Sequence, residues 1–351
     1  FQSVVVIGGG VLSDRLPRNL VLVGASLVQG CAQAIIATLV LTGTAEVWSL
    51  IALSVFYGLG GGLVIPAEVG LVPQTVSPPR LQDANALQGL SRNMVGTLGP
   101  ALGGGLTAAG SAGTALALDS VSFFAAALLL SRIRIAPREG GPERAGFFHE
   151  LRDGWREFTR HTWLWSSVLL FGVSNLVFVG CWVVLGPLVA KQEYGGAGVW
   201  GIVLACGGVG AIAGGVVALR YRPRRPLLAS VLAAYPLLLE LLALALFAPV
   251  WVVAGAAILT GGGIALHLAL WFTVFQREVP EHAQSRVSSY DALGSFVLIP
   301  LGMAIVGPVA AGIGLQETLW AGFIVSLACQ LAIVALPSVR ALRTESLVPR
   351  T

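Results

Sequence analysis

Gly9-Gly10-Val11-Leu12-Ser13-Asp14-Arg15-Leu16-Pro17-Arg18 closes an apolar run, and about 205 residues later Gly214-Gly215-Val216-Val217-Ala218-Leu219-Arg220-Tyr221-Arg222-Pro223-Arg224-Arg225 closes another. In both, small residues lead into a short break packed with arginine. A second pair keeps nearly the same offset. Pro78 to Asn85 opens an apolar run holding Gly99-Pro100, and Pro280 to Ser288, about 202 residues on, opens one holding Pro300-Leu301-Gly302. A repeat of this length among apolar segments marks a helical membrane protein with two pseudo-symmetric halves.

Composition agrees. Apolar residues make up 56% of the 351 and charged residues 11%, against about 25% charged in soluble domains; mean hydropathy is +0.83. The 45 glycines follow no G-X-Y period and are expected to let helices approach closely. The net charge of +4 does not point to nucleic acid, because its distribution matters more than its sum. Cys31, Cys181, Cys206 and Cys329 each sit in an apolar run without a CxxC or a histidine at ligand spacing, so neither a disulfide framework nor a metal site is expected. There is no G-x-x-x-x-G-K-[ST], and Lys191 is the sole lysine. ATP-driven transport by this chain alone is excluded at the level of motifs, no enzyme signature appears, and no cofactor is expected.

The apolar runs predict spans at 1–12 (partial), 20–43, 47–71, 84–109, 112–131, 163–189, 197–219, 226–247, 250–275, 287–311 and 316–337. Lipid offers no partner for backbone N–H and C=O, so these runs must be helices; strands of a barrel would alternate polar and apolar residues. The first run reaches only ~18 Å, short of a ~30 Å hydrocarbon core, and lacks the basic start and cleavage site of a signal peptide. It reads as part of a span whose beginning is absent. Numbering the breaks alternately puts nearly all basic residues on one side: Arg15 and Arg18, Arg80, Arg132 through Arg160, Arg220 to Arg225, Arg277 and Arg286, and the C-terminal tail. The other side holds Lys191. The arginine-rich side is therefore expected to be cytoplasmic. Four regions follow: an N-terminal bundle over 1–131, a linker over 132–162, a C-terminal bundle over 163–337 and a cytoplasmic tail over 338–351. Within the linker, Leu151, Trp155 and Phe158 fall at i, i+4 and i+7, predicting an amphipathic helix on the inner membrane surface. A plain connector is the simpler role for it, a regulatory docking site the other.

The loop Gly10-Val11-Leu12-Ser13-Asp14-Arg15-Leu16-Pro17-Arg18 resembles the G-x-x-x-D-R-x-x-R signature between spans two and three of the major facilitator superfamily. Gly99-Pro100-Ala101-Leu102-Gly103-Gly104 resembles the G-P-x-x-G-G motif of its exporters, although the upstream glycine of the full pattern falls at Val95. With Pro78 to Asn85 and Asp119-Ser120-Val121-Ser122-Phe123, the chain is most similar to the enterobactin-exporter and macrolide-efflux branch of drug-type exporters. The resemblance implies an all-α integral membrane fold of two six-helix bundles, with the first span missing and the second partial. It also implies a cytoplasmic latch, in which Asp14 faces the N-terminal end of the span beginning near Arg286, where the helix dipole is positive. Gly10, Asp14, Arg15, Arg18, Glu68, Arg286 and Asp291 form that candidate latch; the alternative is that Asp14, Arg15 and Arg18 only set topology. Leu219 stands where the second loop would carry its acid, so that loop cannot repeat the contact. Gly99 and Pro100 permit a kink, and Gly103 and Gly104 close helix contact.

Ionisable groups inside spans cost ~2.5–3.5 kcal/mol or more and are functional candidates by default. Arg92, ~12 Å into its span, is a candidate cation for an anionic substrate or an acid. Asp119 either titrates or caps Ser120 and Ser122. Glu240, in a leucine-rich stretch, is a candidate proton carrier. His267 is a weaker one, since a lone core histidine is usually just hydrogen-bonded. Together these readings predict a monomeric secondary transporter of the cell membrane, exporting a small amphipathic drug, macrolide or siderophore-like compound in exchange for protons. An importer or facilitator of the same fold, and a non-transporting sensor or assembly partner, are the alternatives. The 351 residues by themselves, lacking one span and part of another, should show no transport in reconstituted vesicles; robust transport would overturn the span count.

Overall fold

The computed structural model describes residues 16–109, 111–133 and 147–343, and among them it is helical with short connections. The helices are α1 (Arg18–Thr42), α2 (Val47–Thr75), α3 (Leu81–Ala109, after a 3-10 turn at Pro78–Arg80), α4 (Ala112–Ser131), α5 (Phe147–Arg160), α6 (Thr162–Glu193), α7 (Ala197–Arg220), α8 (Pro226–Ala245), α9 (Val250–Glu278), α10 (Gln284–Ile313), α11 (Leu315–Ala335) and the short α12 (Pro337–Ala341). Nine of these helices are long and apolar enough to cross a membrane by length and composition; α3 is the described helix at the remaining predicted span, and the 1–12 run lies outside the described residues. The predicted amphipathic segment is α5.

Turn chemistry sets the ends. Gly43, at φ 69°, takes the left-handed conformation that closes α1, a conformation costly to any residue with a Cβ. Ser111 starts α4, its hydroxyl accepting from Thr114 N–H at 3.2 Å while Ser111 N–H donates to the Thr114 hydroxyl at 2.8 Å. Prolines explain the irregularities. Pro187 lacks the N–H that Val183 would receive and its ring crowds that carbonyl; α6 widens into a π turn over Cys181–Leu185 just before it. Pro236 interrupts α8 at Ala234–Tyr235, and Pro300 follows a break in α10 at Val297–Leu298. In the first half, by contrast, α3 runs unbroken through Gly99–Pro100.

The chain forms two compact units, and they do not follow its two halves. The first is Phe1–Pro78, Leu98–Arg160 and Val279–Leu293. In it α1 packs along α2 and α4, with Val21, Leu22, Ala67 and Leu71 at the core and Gly30 against Phe123 and Phe124. The second is Pro79–Thr97, His161–Glu278 and Gly294–Thr351. Its core runs from Cys181, Leu185 and Val189 of α6 through Trp200 and Val203 of α7 and Leu241 and Leu244 of α8 to Val253 of α9 and Leu319 of α11. Each unit thus incorporates the start of a helix belonging to the other half: Pro79–Thr97 from α3, Val279–Leu293 ahead of and within α10.

α7 and α9 approach most closely through glycine. A Cβ on Gly210 would strike the backbone of Ile258, one on Gly214 that of Gly262, and one on Gly261 that of Gly207. Gly210→Val must therefore push the helices apart, costing about 1–3 kcal/mol and lowering the unfolding midpoint in detergent. Gly58→Ala, where a Cβ would meet nothing within 4 Å, should be neutral or slightly stabilising; equal losses would refute the close packing.

Candidate functional site: two clasps at the arginine-rich ends

The exchanged helix starts are held by polar contacts, one set in each unit. In the first, Pro17 precedes α1, and the helix begins with Arg18 pointed inward at 2% exposure. Its guanidinium donates to the Gly70 carbonyl of α2 and, at 2.7 Å, to the Glu281 carbonyl just ahead of α10. Gln74 adds a bond to the Glu281 carboxylate at 2.7 Å. Gly70 is fixed by this arrangement, since a Cβ there would overlap the Arg18 guanidinium. Acceptors at both terminal nitrogens lower the cost of burying the guanidinium.

Asp291 is buried within α10, while Glu68 and Arg286 are half-buried. Arg286 donates to the His282 carbonyl at 3.1 Å and lies against Gly154 of α5. The apolar stripe of α5 is turned onto α10 as well. Tyr290 donates to the Leu151 carbonyl at 3.0 Å, and its ring packs against Trp155 and Phe158 at 5.5 and 6.0 Å. Gly10, Asp14 and Arg15, three members of the expected latch, lie outside the described residues.

In the second unit the start of α3 is sewn to α7 and α9. Gln82 donates to the Ala218 and Tyr221 carbonyls at 2.8 and 2.5 Å, and Asn85 to Thr273 Oγ1 and Gln276 Oε1 at 3.2 and 2.7 Å. Asp83 pairs with Arg222, which also donates to the Ala218 carbonyl at 3.0 Å. Asn93 reaches the Ala211 carbonyl at 3.3 Å. Ala86, Ala218 and Ala269 meet beneath these contacts, small enough to let three helices converge. Sequence reading missed Gln82, Asp83, Asn85, Arg222 and Glu281 as a contact set. The signal was present: Arg222 lies one residue off the repeat counterpart of Arg18, and the segments 78–85 and 280–288 were already paired by the repeat.

The remaining candidates are dispersed. Arg92 is exposed on α3. Asp119 is exposed on α4 and accepts from Gln33 Nε2 at 2.9 Å; Ser122 bonds the Asp119 backbone carbonyl at 2.7 Å, and Ser120 turns away to the Gly30 carbonyl at 2.9 Å. Glu240 is 2% exposed among leucines of α8, beside Thr260 of α9. His267 Nδ1 lies 2.9 Å from the Ser230 hydroxyl, and its ring packs at 5.1 Å on Phe171 and 6.0 Å on Trp271. Gly99 has open space around it; the surroundings of Pro100, Gly103 and Gly104 lie outside the description. Cys31, Cys181, Cys206 and Cys329 are free thiols.

A family described as transmembrane secretion effector matches residues 3–351. Enterobactin exporter EntS of Salmonella typhimurium (strain LT2) is 26% identical over 322 residues, spanning 86% of this chain and 74% of that protein. EntS of Escherichia coli O1:K1 is 26% identical over 318 residues with the same coverage. Among solved structures, a bacterial homologue of the iron transporter ferroportin in an outward-facing state superimposes with TM-score 0.72 at 18% identity, over 95% of this chain and 86% of that one. The human organic anion transporter MFSD10 superimposes with TM-score 0.71 at 18% identity, over 95% and 80%. The proton:xylose symporter XylE, of the major facilitator superfamily, gives 0.70 at 15%, over 94% and 82%. These are major facilitator transporters, and the fold is theirs.

The two clasps differ in burial, which sets their energetic ranking. Arg18→Ala strands two carbonyls and should cost about 1–3 kcal/mol. Asp83→Asn removes one charge from a pair whose side chains are 48% and 44% exposed and should cost under about 1 kcal/mol. Unfolding midpoints of the two variants in detergent measure this; a larger loss for Asp83→Asn would reverse the ranking.

Proposed function

The chain belongs to the transmembrane secretion effector family of the major facilitator superfamily, a family of transporters and not of enzymes, and on that premise we propose that it exports a small amphipathic compound by proton-coupled alternating access. It is a multi-pass membrane protein; in this reading it resides in the cell membrane as a monomer, with its arginine-rich ends and C-terminus cytoplasmic.

The observation that carries the reading is the exchange of helix starts. Arg18, Gly70, Gln74 and Glu281 join one pair of segments from opposite halves; Gln82, Asp83, Asn85 and Arg222 join another. Both sets lie at the arginine-rich ends. In this reading, contacts that join segments from opposite halves of the chain must break when those halves move apart. They are therefore groups through which the balance between inward-open and outward-open states is set. Asp14, Arg15, Glu68, Arg286 and Asp291 belong to the same latch in this reading, and Gly10 and the Gly99-Pro100-x-x-Gly103-Gly104 stretch supply the backbone freedom for rocking.

Export rather than import is supported by the relatives named as enterobactin exporters. The cargo is accordingly a drug, macrolide or siderophore-like molecule. Phe171 and His267, partly exposed and backed by the buried Trp271, offer it an aromatic surface, and Arg92 and Asp119 are charges at exposed positions in the spans. Proton coupling is assigned to Glu240, whose carboxyl is buried in the leucine-rich α8 with Thr260 of α9 beside it. Its charge is costly there, and movement of the bundle that admits water or a cation would change its proton occupancy.

In everted membrane vesicles made with the full-length protein, a fluorescent macrolide should accumulate under a proton gradient and leak out on adding a protonophore. Glu240→Gln should abolish the gradient-driven component while leaving macrolide binding within about twofold, a change below ~0.5 kcal/mol. Accumulation that ignores the protonophore would sink the coupling, and uptake into right-side-out vesicles would make the protein an importer.

A further inference from the structure

Between the arginine-rich ends of α7 and α8 lies a groove of about 520 Å³ whose lining meets the second clasp at Tyr221. Its walls are aliphatic: Val217 from α7, Leu228 and Leu232 from α8, and Leu266 from α9. Val217 and Leu232 are 50% and 48% exposed, so the groove opens sideways, onto the surface that two spans present to their surroundings. Its mouth is different. There Tyr221 and Arg225 line it, both exposed, in the break between the two helices.

The arginines of this break have separate commitments. Arg222 is held by Asp83 and the Ala218 carbonyl. Arg225 side-chain nitrogens make no hydrogen bond or ion pair among the described residues, and its backbone carbonyl is what starts α8, accepting from Ala229 N–H at 2.9 Å. Arg225 therefore sits at the positive end of the α8 dipole with its own charge available. From Arg225 to the deepest lining residue of α8, Ala233, the helix descends ~12 Å, passing only Leu228, Ala229, Leu232 and Ala233 on the groove side.

We propose that this groove binds one anionic phospholipid, its phosphate on Arg225 and the Tyr221 hydroxyl and an acyl chain laid along Val217, Leu228, Leu232 and Leu266. The polarity gradient selects that occupant. A soluble phosphate would use the mouth and leave the apolar walls to no purpose. A zwitterionic lipid would fill the walls but gain less from a lone guanidinium at the membrane surface, where anionic headgroups are drawn to clustered arginine. An amphipathic peptide would need a groove lined over several helical turns, and this one spans about two. The Tyr221 carbonyl also accepts from Gln82, so a lipid seated here braces the α7 end to which the start of α3 is fastened. The inference needs only that α7 and α8 span a membrane, and stands whatever the cargo.

The test uses the full chain, delipidated in detergent, titrated with phosphatidylglycerol, phosphatidylethanolamine or glycerol 3-phosphate. Bound lipid is counted by native mass spectrometry, and the unfolding midpoint is followed in parallel. Phosphatidylglycerol should be retained and raise the midpoint, phosphatidylethanolamine should bind more weakly, and glycerol 3-phosphate should do neither. Arg225→Gln should weaken phosphatidylglycerol about tenfold, the loss of one charged hydrogen bond, and phosphatidylethanolamine by less. Leu232→Trp should fill the groove and remove both, and Arg156→Gln, an exposed arginine of α5, should change nothing. The proposal falls if phosphatidylglycerol and phosphatidylethanolamine bind alike, if Arg225→Gln binds phosphatidylglycerol as the parent does, or if glycerol 3-phosphate alone reproduces the stabilisation.

Discussion

Taking a guanidinium out of water is costly unless its donors find acceptors, and both terminal nitrogens of Arg18 meet backbone carbonyls from distant parts of the chain. One, at Gly70, is near the end of α2. The other, at Glu281, precedes α10. The first exists because Gly70 has no Cβ to fill the space that the guanidinium occupies. The second draws a segment of the second half of the chain into a unit otherwise made of the first. Much of the arrangement at this end follows: Gln74 meets Glu281, Val279–Leu293 joins α1 and α2, and α5 lies over Tyr290 and Arg286.

The same lack of a water partner shapes the spans. A membrane helix can lose a backbone hydrogen bond only where something else absorbs the consequence. Three of its prolines sit where α6 widens into a π turn, where α8 bends at Ala234–Tyr235 and where α10 breaks before Pro300, whereas Pro66 and Pro73 of α2 and Pro308 of α10 lie inside continuous helix. Rigid contact is arranged elsewhere, along the glycine seam of α7 and α9. The second unit thus joins an unyielding helix pair to three interrupted helices, a combination suited to holding one surface fixed while others flex.

The fold was largely legible because membrane helices announce themselves by length, and because arginine marks one face. Spans placed at 20–43, 47–71 and 112–131 became Arg18–Thr42, Val47–Thr75 and Ala112–Ser131. The helix α5 was legible for a second reason, the spacing of Leu151, Trp155 and Phe158, although that stripe meets Tyr290. The contact set was less legible. A loop motif names residues on one side of a contact and gives the other only as a helix end near Arg286, so Arg18 could be singled out while Glu281 could not: what it contributes to Arg18 is a backbone carbonyl, which any residue owns. Gln82 and Asn85 were hidden differently. They are neutral amides at the edge of a span, and reading charges inside apolar runs passes over them, although an amide with two donors and an acceptor is well suited to tie several helices.

The repeat invites the expectation that both halves use the same chemistry, but the second loop carries Leu219 in place of an acid. The structure places the acid across the contact instead. In the second unit the loop supplies the cation, Arg222, and the incoming helix supplies Asp83. An ion pair needs one charge of each sign but does not specify which segment carries which, so a duplicated loop can lose its carboxylate if the partner helix offers another. The substitution is not neutral in energy. Arg18 is sealed from water, where each donor left without an acceptor is costly; Asp83 and Arg222 are nearly half exposed, where solvent screens them. The second set offsets this with Gln82 and Asn85, whose uncharged bonds lie deeper and depend little on screening. Two contacts descended from one pattern therefore respond to different influences, one to burial and packing around a single arginine, the other in part to charge at the membrane surface.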